Sequence, residues 1–336
     1  MNEKPLVTVL MPVYNSEKYL REAINSILQQ SFANFELLIM DGGSTDSSND
    51  IIRSYDDKRI RLVLDRENAK LVPSLNKGIE LSRGKYIARM DSDDICASKR
   101  LEKQVNFLDN NLNVGVCGTW IKTIGKSKNF VYKYPCEKET VKCMAFFCSP
   151  LAHPTVMMRK KFLLKNNLQY MYPQAEDWDL WYKASFLCDI VNIPEILLQY
   201  RISEVSATQR AVEAHKISVA QLMQKHCNDL GISVDVSDLD VCLGISKLGL
   251  VSFEKILDRA EKLLLKMKKS NKNKQIYNPI IFQNIIAQIW YYLCTNLTHS
   301  NIDVLHKYFE SELRKDMNDN IKELKFFFKA LVHSRI

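Results

Sequence analysis

The sequence predicts an α/β fold: a mostly parallel sheet flanked by helices, followed by a mainly helical C-terminal region. Short apolar, β-branched runs alternate with helical patterns from Leu6 to Met90, several of these runs end in acidic or glycine-bearing turns, and strand signals all but vanish beyond about His215. A chain of 336 residues exceeds the usual size of one domain. The change of character therefore sets the expected boundary, with a first domain over 1–215 and a helical region over 216–336.

Leu6 to Met11 is apolar and stops at Pro12, the pattern of a buried strand. Tyr19, Leu20, Ala23, Ile24, Ile27 and Leu28 then fall at helical spacing between Ser16 and Gln30. Phe35 to Met40 is the second strand, closed by Asp41-Gly42-Gly43-Ser44-Thr45-Asp46, and a helix through Ile51, Ile52 and Tyr55 leads to a strand at Ile60 to Leu64. A helix from about Val72 to Ser82 ends before Gly84, and Tyr86 to Met90 is the next strand. That order implies parallel strands with helices on both faces. Farther on, helix is expected over Ile95 to Asn111, strand over Val114 to Ile124, and a short inner strand at Val156 to Met158. Helices over Arg159 to Leu168 and Asp177 to Leu187 precede a strand pair, Ile190 to Pro194 and Leu197 to Arg201. Ser252 to Lys269, Ile280 to Leu297 and Ile321 to Val332 are the clearest C-terminal helices.

Bulk properties narrow the classes. A formal net charge of +8 is too modest to argue for nucleic acid, though it suits an anionic membrane surface or a phosphate-bearing substrate. The nine cysteines include no C-x-x-C pair, which points away from a disulfide framework or a zinc site and toward a reducing cytoplasm. The N-terminus runs into its first strand without the basic and apolar regions of a secretory signal, and Gln283, Asn284 and Gln288 interrupt the most apolar helix.

The chemistry concentrates in Tyr86-Ile87-Ala88-Arg89-Met90-Asp91-Ser92-Asp93-Asp94, where three carboxylates follow a buried strand. Strand ends are where open α/β sheets place ligands. Carboxylate oxygens suit Mg2+ or Mn2+, ions that bind through one or two protein acids plus substrate phosphates. The same acids could equally form a turn that caps a following helix.

Three strand-end pieces share an order and spacing: Met11-Pro12-Val13-Tyr14-Asn15, Met40 to Asp46, and Met90 to Asp94. With Leu75-Asn76-Lys77-Gly78-Ile79, Ser82 to Ile87, His153-Pro154-Thr155-Val156 and Ala175-Glu176-Asp177-Trp178-Asp179-Leu180-Trp181, they resemble the family 2 glycosyltransferases over residues 5 to 205. The resemblance implies the GT-A fold and inverting transfer of a sugar from a nucleotide diphosphate sugar. It places Pro12 and Tyr14 along the nucleotide base, Asp41 near base or ribose, Asp93 on a divalent metal (Mn2+ or Mg2+), and Asp91 on the ribose or the same ion. Asp177 matches the base that deprotonates the acceptor, with Glu176 or Asp179 as fallback. Arg201 matches a basic residue near the phosphates, while His153 could approach the acceptor or serve structure alone. The resemblance favours a UDP-sugar, but Gly42 stands where many members carry a second Asp that reads uracil, which weakens that preference and keeps GDP- or TDP-sugars as alternatives. Leu71-Val72-Pro73, after Lys70, replaces a more usual glycine-containing loop.

The expected enzyme is a metal-dependent hexosyl- or N-acetylhexosaminyltransferase that extends a surface polysaccharide or a lipid-linked glycan. A sugar nucleotidyltransferase is disfavoured, because Pro12-Val13-Tyr14-Asn15 replaces the glycine- and arginine-rich loop of that class. The alternative is a non-catalytic nucleotide-sugar binding or scaffold protein of a biosynthetic complex. Lys262 to Lys274, which holds no acid, and the aromatic and basic run from Lys322 to Lys329 raise peripheral contact with the inner face of the cell membrane as an expectation. A helical subdomain that dimerises or covers the acceptor is the competing one.

Overall fold

A computed structural model describes residues 4–65, 70–126, 129–202, 212–246, 253–296 and 302–317. The helix expected over Ile321 to Val332, with the run from Lys322 to Lys329, lies outside the described residues. The chain forms two compact units, Met1–Val141 with Ser149–Arg210, and Lys142–Cys148 with Ala211–Ile336.

The first unit opens with β1 (Val7–Val13), α1 (Glu17–Leu28), β2 (Phe35–Asp41), α2 (Ser48–Arg53), β3 (Ile60–Leu64), α3 (Leu71–Leu81) and β4 (Tyr86–Arg89). These four strands lie side by side in the order β3-β2-β1-β4, all parallel. Their residues alternate between two cores, as the strand period requires. Val7, Val9, Met11, Leu37 and Ile39 pack with Leu20, Ile24 and Ile27 of α1, whereas Leu10, Leu38 and Met40 pack with Leu75 and Ile79 of α3. Burial on both faces explains why β1 and β2 read as unbroken apolar runs. Gly78 seats α3 on the sheet, since a Cβ there would lie 2.3 Å from the Leu10 side chain.

The next elements are β5 (Ile95–Cys96), α4 (Arg100–Asn110), β6 (Val114–Gly125), β7 (Val131–Tyr132), α5 (Lys138–Ala145), β8 (Met157–Arg159), α6 (Lys160–Lys165), α7 (Glu176–Ala184) and β9 (Asp189–Ile202). The sheet continues from β4 through β8, β6 and β9 to β5, with β7 paired to β6. Two expectations change here. Ile95 and Cys96 are strand because they pair with Gln199 and Leu198, so the helix expected from Ile95 starts only at Arg100. The expected strand pair at Ile190 to Arg201 is one continuous strand. Its register on β6 jumps from Ile193 to Ile196, a bulge that takes up Pro194, which has no N–H to donate.

The second unit is helical among its described residues: α8 (Val212–Asp229), α9 (Val236–Ile245), α10 (Phe253–Lys274), α11 (Pro279–Asn296) and α12 (Ile302–Glu310). The α9 helix begins with a reciprocal capping box between Asp235 and Asp238. Phe146, Tyr277 and Phe282 form an aromatic cluster inside this unit. Among the described residues no helix is long and apolar enough to cross a membrane.

Candidate active site

The loops after β1, β2 and β4 are stitched into one shelf. Gly42 N–H donates to the Val13 carbonyl (2.9 Å), extending the β1–β2 ladder by one bond. Asn15, held at φ 48°, donates its N–H to Ser44 Oγ (2.9 Å) and accepts from Thr45 N–H through Oδ1 (2.8 Å). Two backbone-to-carboxylate bonds join Glu17 to the second loop, Glu17 N–H to Asp46 (3.0 Å) and Ser47 N–H to the Glu17 carboxylate (2.9 Å). Ser16 Oγ lies 2.7 Å from Ser92 Oγ, which ties the shelf to the acidic loop.

Asp41 is buried, and its carboxylate accepts from the N–H groups of Gly43 and Ser44 and from Asn49 Nδ2. That side chain folds its own turn, in which Gly43 takes a φ of +86° that other residues rarely adopt. Tyr14 is 58% exposed on the shelf, beside the half-buried Pro12.

A cavity of about 500 Å³ is lined by Arg89, Asp91, Asp93, His153, Glu176, Asp177 and Arg201, together with Tyr132, Tyr134 and Tyr200. The structure thus brings Asp91, Asp93, Glu176, Asp177 and Arg201 into one lining and leaves Pro12, Tyr14 and Asp41 outside it. Asp179 is not part of the lining: it is fully buried and pairs with Lys183 at 2.5 Å, one helical turn on.

The three acids after β4 have different surroundings. Asp91 accepts an ion-paired hydrogen bond from Arg89 (2.6 Å). Burial, with Asp91 close by, pushes Asp93 up to about 6. Asp94 is fully buried and accepts from Arg201 N–H at 2.8 Å. It is therefore a brace between the acidic loop and β9 and not a helix cap, because α4 starts six residues later with Lys99 as its N-cap. Burial also holds Asp94 well above the usual carboxylate range. Arg201 fastens the same loop from the other side: Nε donates to the Asp93 carbonyl (2.7 Å), Nη2 to Glu22 (2.6 Å), and the guanidinium lies 4.1 Å from the Tyr19 ring centroid.

Hard oxygen donors, excess negative charge and a raised Asp93 fit a divalent cation at Asp93 and Asp91. Among the described residues no group of three or more His, Cys, Asp or Glu side chains converges to hold a metal.

The second pair of acids stands at the head of α7, which Leu180, Trp181 and Ala184 anchor in the sheet core. The approach is tight, with Tyr172 and Gln174 both at positive φ. Asp177 accepts from Ser149 Oγ at 2.8 Å, yet burial still raises its pKa. Glu176 is pushed up to about 7 by burial and by Asp177, and its Oε2 is buried without a hydrogen-bond partner among the described residues. His153 lies 3.8 Å from Glu176 and 3.1 Å from the Tyr170 hydroxyl; burial and the Arg89 charge hold it well below its ordinary value, hence neutral. Such an arrangement supplies a carboxylate poised to take a proton near neutral pH beside a second acidic cluster suited to a metal diphosphate. Local sequence pattern assigns no role to Arg89, Ser92, Ser149 or Tyr170. The visible signal for Arg89 was a charge within an otherwise apolar strand.

Comparison with known proteins gives the family. The glycosyl transferase family 2 model matches residues 8–168. The O-antigen biosynthesis glycosyltransferase WbnJ of Escherichia coli is 32% identical over 231 residues, 66% of this chain and 90% of that protein. An uncharacterized glycosyltransferase of Haemophilus influenzae is 30% identical over 255 residues, 70% of this chain and 79% of that one. Among solved structures, S. aureus TarS 1-349 in complex with UDP-GlcNAc superposes with a TM-score of 0.56 at 18% identity, covering 98% of this chain and 90% of that one. The mannosyltransferase PcManGT of Pyrobaculum calidifontis, in complex with GDP-Man and Mn2+, gives 0.52 at 16% identity, covering 99% and 88%. The chain belongs to glycosyltransferase family 2, and its α/β sheet has the GT-A fold.

Proposed function

We propose that the protein moves a sugar from a nucleotide diphosphate sugar to a hydroxyl of a growing surface polysaccharide or lipid-linked oligosaccharide, with inversion at the anomeric carbon. The observation that carries this reading is the meeting, in one cavity, of the acids after β4 with the acids at the head of α7. WbnJ, named for O-antigen biosynthesis, supports the acceptor class. Donor complexes of TarS and PcManGT support the donor class.

In this reading the shelf takes the nucleotide, with Tyr14 and Pro12 along the base and the Asp41 turn beneath it. Asp93, with Asp91, would hold Mn2+ or Mg2+. When bound, such an ion neutralises charge on the departing nucleotide diphosphate. Asp177 accepts the proton of the acceptor hydroxyl while that oxygen bonds to the anomeric carbon and the bond to the diphosphate oxygen breaks. Ser149 fixes the Asp177 carboxylate for that step. Arg201 keeps the acidic loop against β9.

The test is nucleotide diphosphate release from UDP- and GDP-sugars with Mn2+ or Mg2+, for wild type, Asp93→Ala and Asp177→Asn. Loss of release in both variants is expected, and an active preparation that keeps its rate after both changes refutes the roles. Peripheral contact with an anionic membrane is part of the same proposal, motivated by the exposed Lys262, Lys266, Lys269 and Lys272 of α10. Flotation with anionic vesicles at low salt checks it, and no association removes it.

A further inference from the structure

Arg89 is 3% exposed, yet it lines the cavity. Its main chain is gripped on both sides: its N–H donates to the Val156 carbonyl (2.9 Å), and its carbonyl accepts from the buried Arg100 (2.8 Å). The guanidinium ion-pairs with Asp91, whereas Nε is buried with no partner among the described residues. A fork with five donors is thus committed to one carboxylate, in a site where Asp93, Asp94, Glu176 and Asp177 also carry or shed negative charge. The other arginine of the lining, Arg201, gives its Nη2 to Glu22 and its Nε to a backbone carbonyl.

We propose that Arg89 is a positioning residue that serves both halves of the site, fixing Asp91 through its ion pair and supplying the buried positive charge against which Glu176 and Asp177 are set. The proposal rests on the reading of Glu176 and Asp177 as the acids that serve the transfer. Ser149 bonds Asp177 and His153 lies 3.8 Å from Glu176, Arg89 on β4 and Asp91 after it line the same cavity as the pair, and Tyr170, ahead of α7, contacts His153. Arg89 is the cation in this set, because His153 is neutral. It lowers the proton affinity of Glu176 and of Asp177 and opposes protonation of His153. Without it, burial and the mutual repulsion of the acids meet only hydrogen bonds in opposition, and the pair holds its proton to higher pH. A buried arginine keeps its charge at any working pH, which a lysine in its place is less certain to do.

The test reads carboxyl titration directly, by carbon NMR of protein labelled at the Glu and Asp side-chain carboxyls, with Glu176 assigned through Glu176→Gln. Arg89→Met and Arg89→Gln are expected to raise the Glu176 midpoint by about one pH unit or more, a tenfold gain in proton affinity. Arg89→Lys, which restores a charge, is expected to return the midpoint at least halfway toward wild type. Should Arg89→Met fail to fold, Arg89→Gln decides, since it keeps a donor for Asp91. A Glu176 midpoint unchanged in a folded charge-removal variant overturns the proposal, as does an Arg89→Lys midpoint as high as that of Arg89→Gln. The measurement needs no donor, metal or turnover, so its outcome is separate from whether sugar transfer is observed.

Discussion

The shelf and the head of α7 are built by opposite means. On the shelf hydrogen bonds close the loops on themselves and on one another: Asp41 to its own turn, Asn15 to Thr45, Glu17 to Ser47, Ser16 to Ser92. At the head of α7 the buried Glu176 and the half-buried Asp177 sit side by side, with Ser149 on Asp177 and an orphaned oxygen on Glu176. A satisfied network gives a rigid surface suited to holding a ligand. Acids with few partners have raised proton affinity, which suits moving a proton. Binding and proton transfer thus ask for different local energetics, and the fold keeps them on separate elements.

The comparison can be broken at either end. Asp177→Asn should lower nucleotide diphosphate release by about 10²–10⁴-fold with the fold intact, as the loss of a positioned base does; steady-state rates beside circular dichroism check this. A stability effect should follow from Glu176. Its carboxyl, pushed up to about 7, lies above the ordinary glutamate value of 4.5, so between those pH values the native state binds more protons than the unfolded chain. Stability should therefore fall as pH rises from about 4.5 to 7, and Glu176→Gln should flatten that slope, Asp93 and Asp94 supplying the rest, and stabilise the protein at neutral pH by roughly 1–3 kcal/mol. Urea titrations at several pH values read the slope; a flat wild-type profile would count against a buried, raised Glu176.

At the shelf, Asp41→Ala leaves the N–H groups of Gly43 and Ser44 without their acceptor and should cost about 1–3 kcal/mol. Donor affinity should weaken with it, as calorimetry would show. The smallest effect is expected from Ser149→Ala. Ser149 lowers the proton affinity of Asp177, so its loss should move the acid limb of the rate profile upward by a fraction of a pH unit. A downward movement would contradict the assigned hydrogen bond.

Much of this was legible in the sequence, for identifiable reasons. The β1 and β2 runs could be read because strands buried on both faces are apolar throughout. Asp91, Asp93 and Asp177 could be read because their motifs are local. Asp94 could not: its partner is Arg201 N–H, a contact across 107 residues that no local pattern encodes. The same holds for Ile95 and Cys96, which are strand through pairing with β9, and for Ser149, which meets Asp177 across 28 residues. Arg89 illustrates the middle case, since its oddness in an apolar strand was visible but its reach toward two acid pairs needed coordinates.

The division of labour across the cavity is tested most directly by measuring donor binding and turnover on the same two variants. With Mn2+ and a turned-over UDP- or GDP-sugar, Asp177→Asn should bind donor with wild-type affinity and release almost no nucleotide diphosphate, whereas Asp93→Ala should lose metal-dependent donor binding. Wild-type turnover by Asp177→Asn, or unchanged metal-dependent binding by Asp93→Ala, would contradict it.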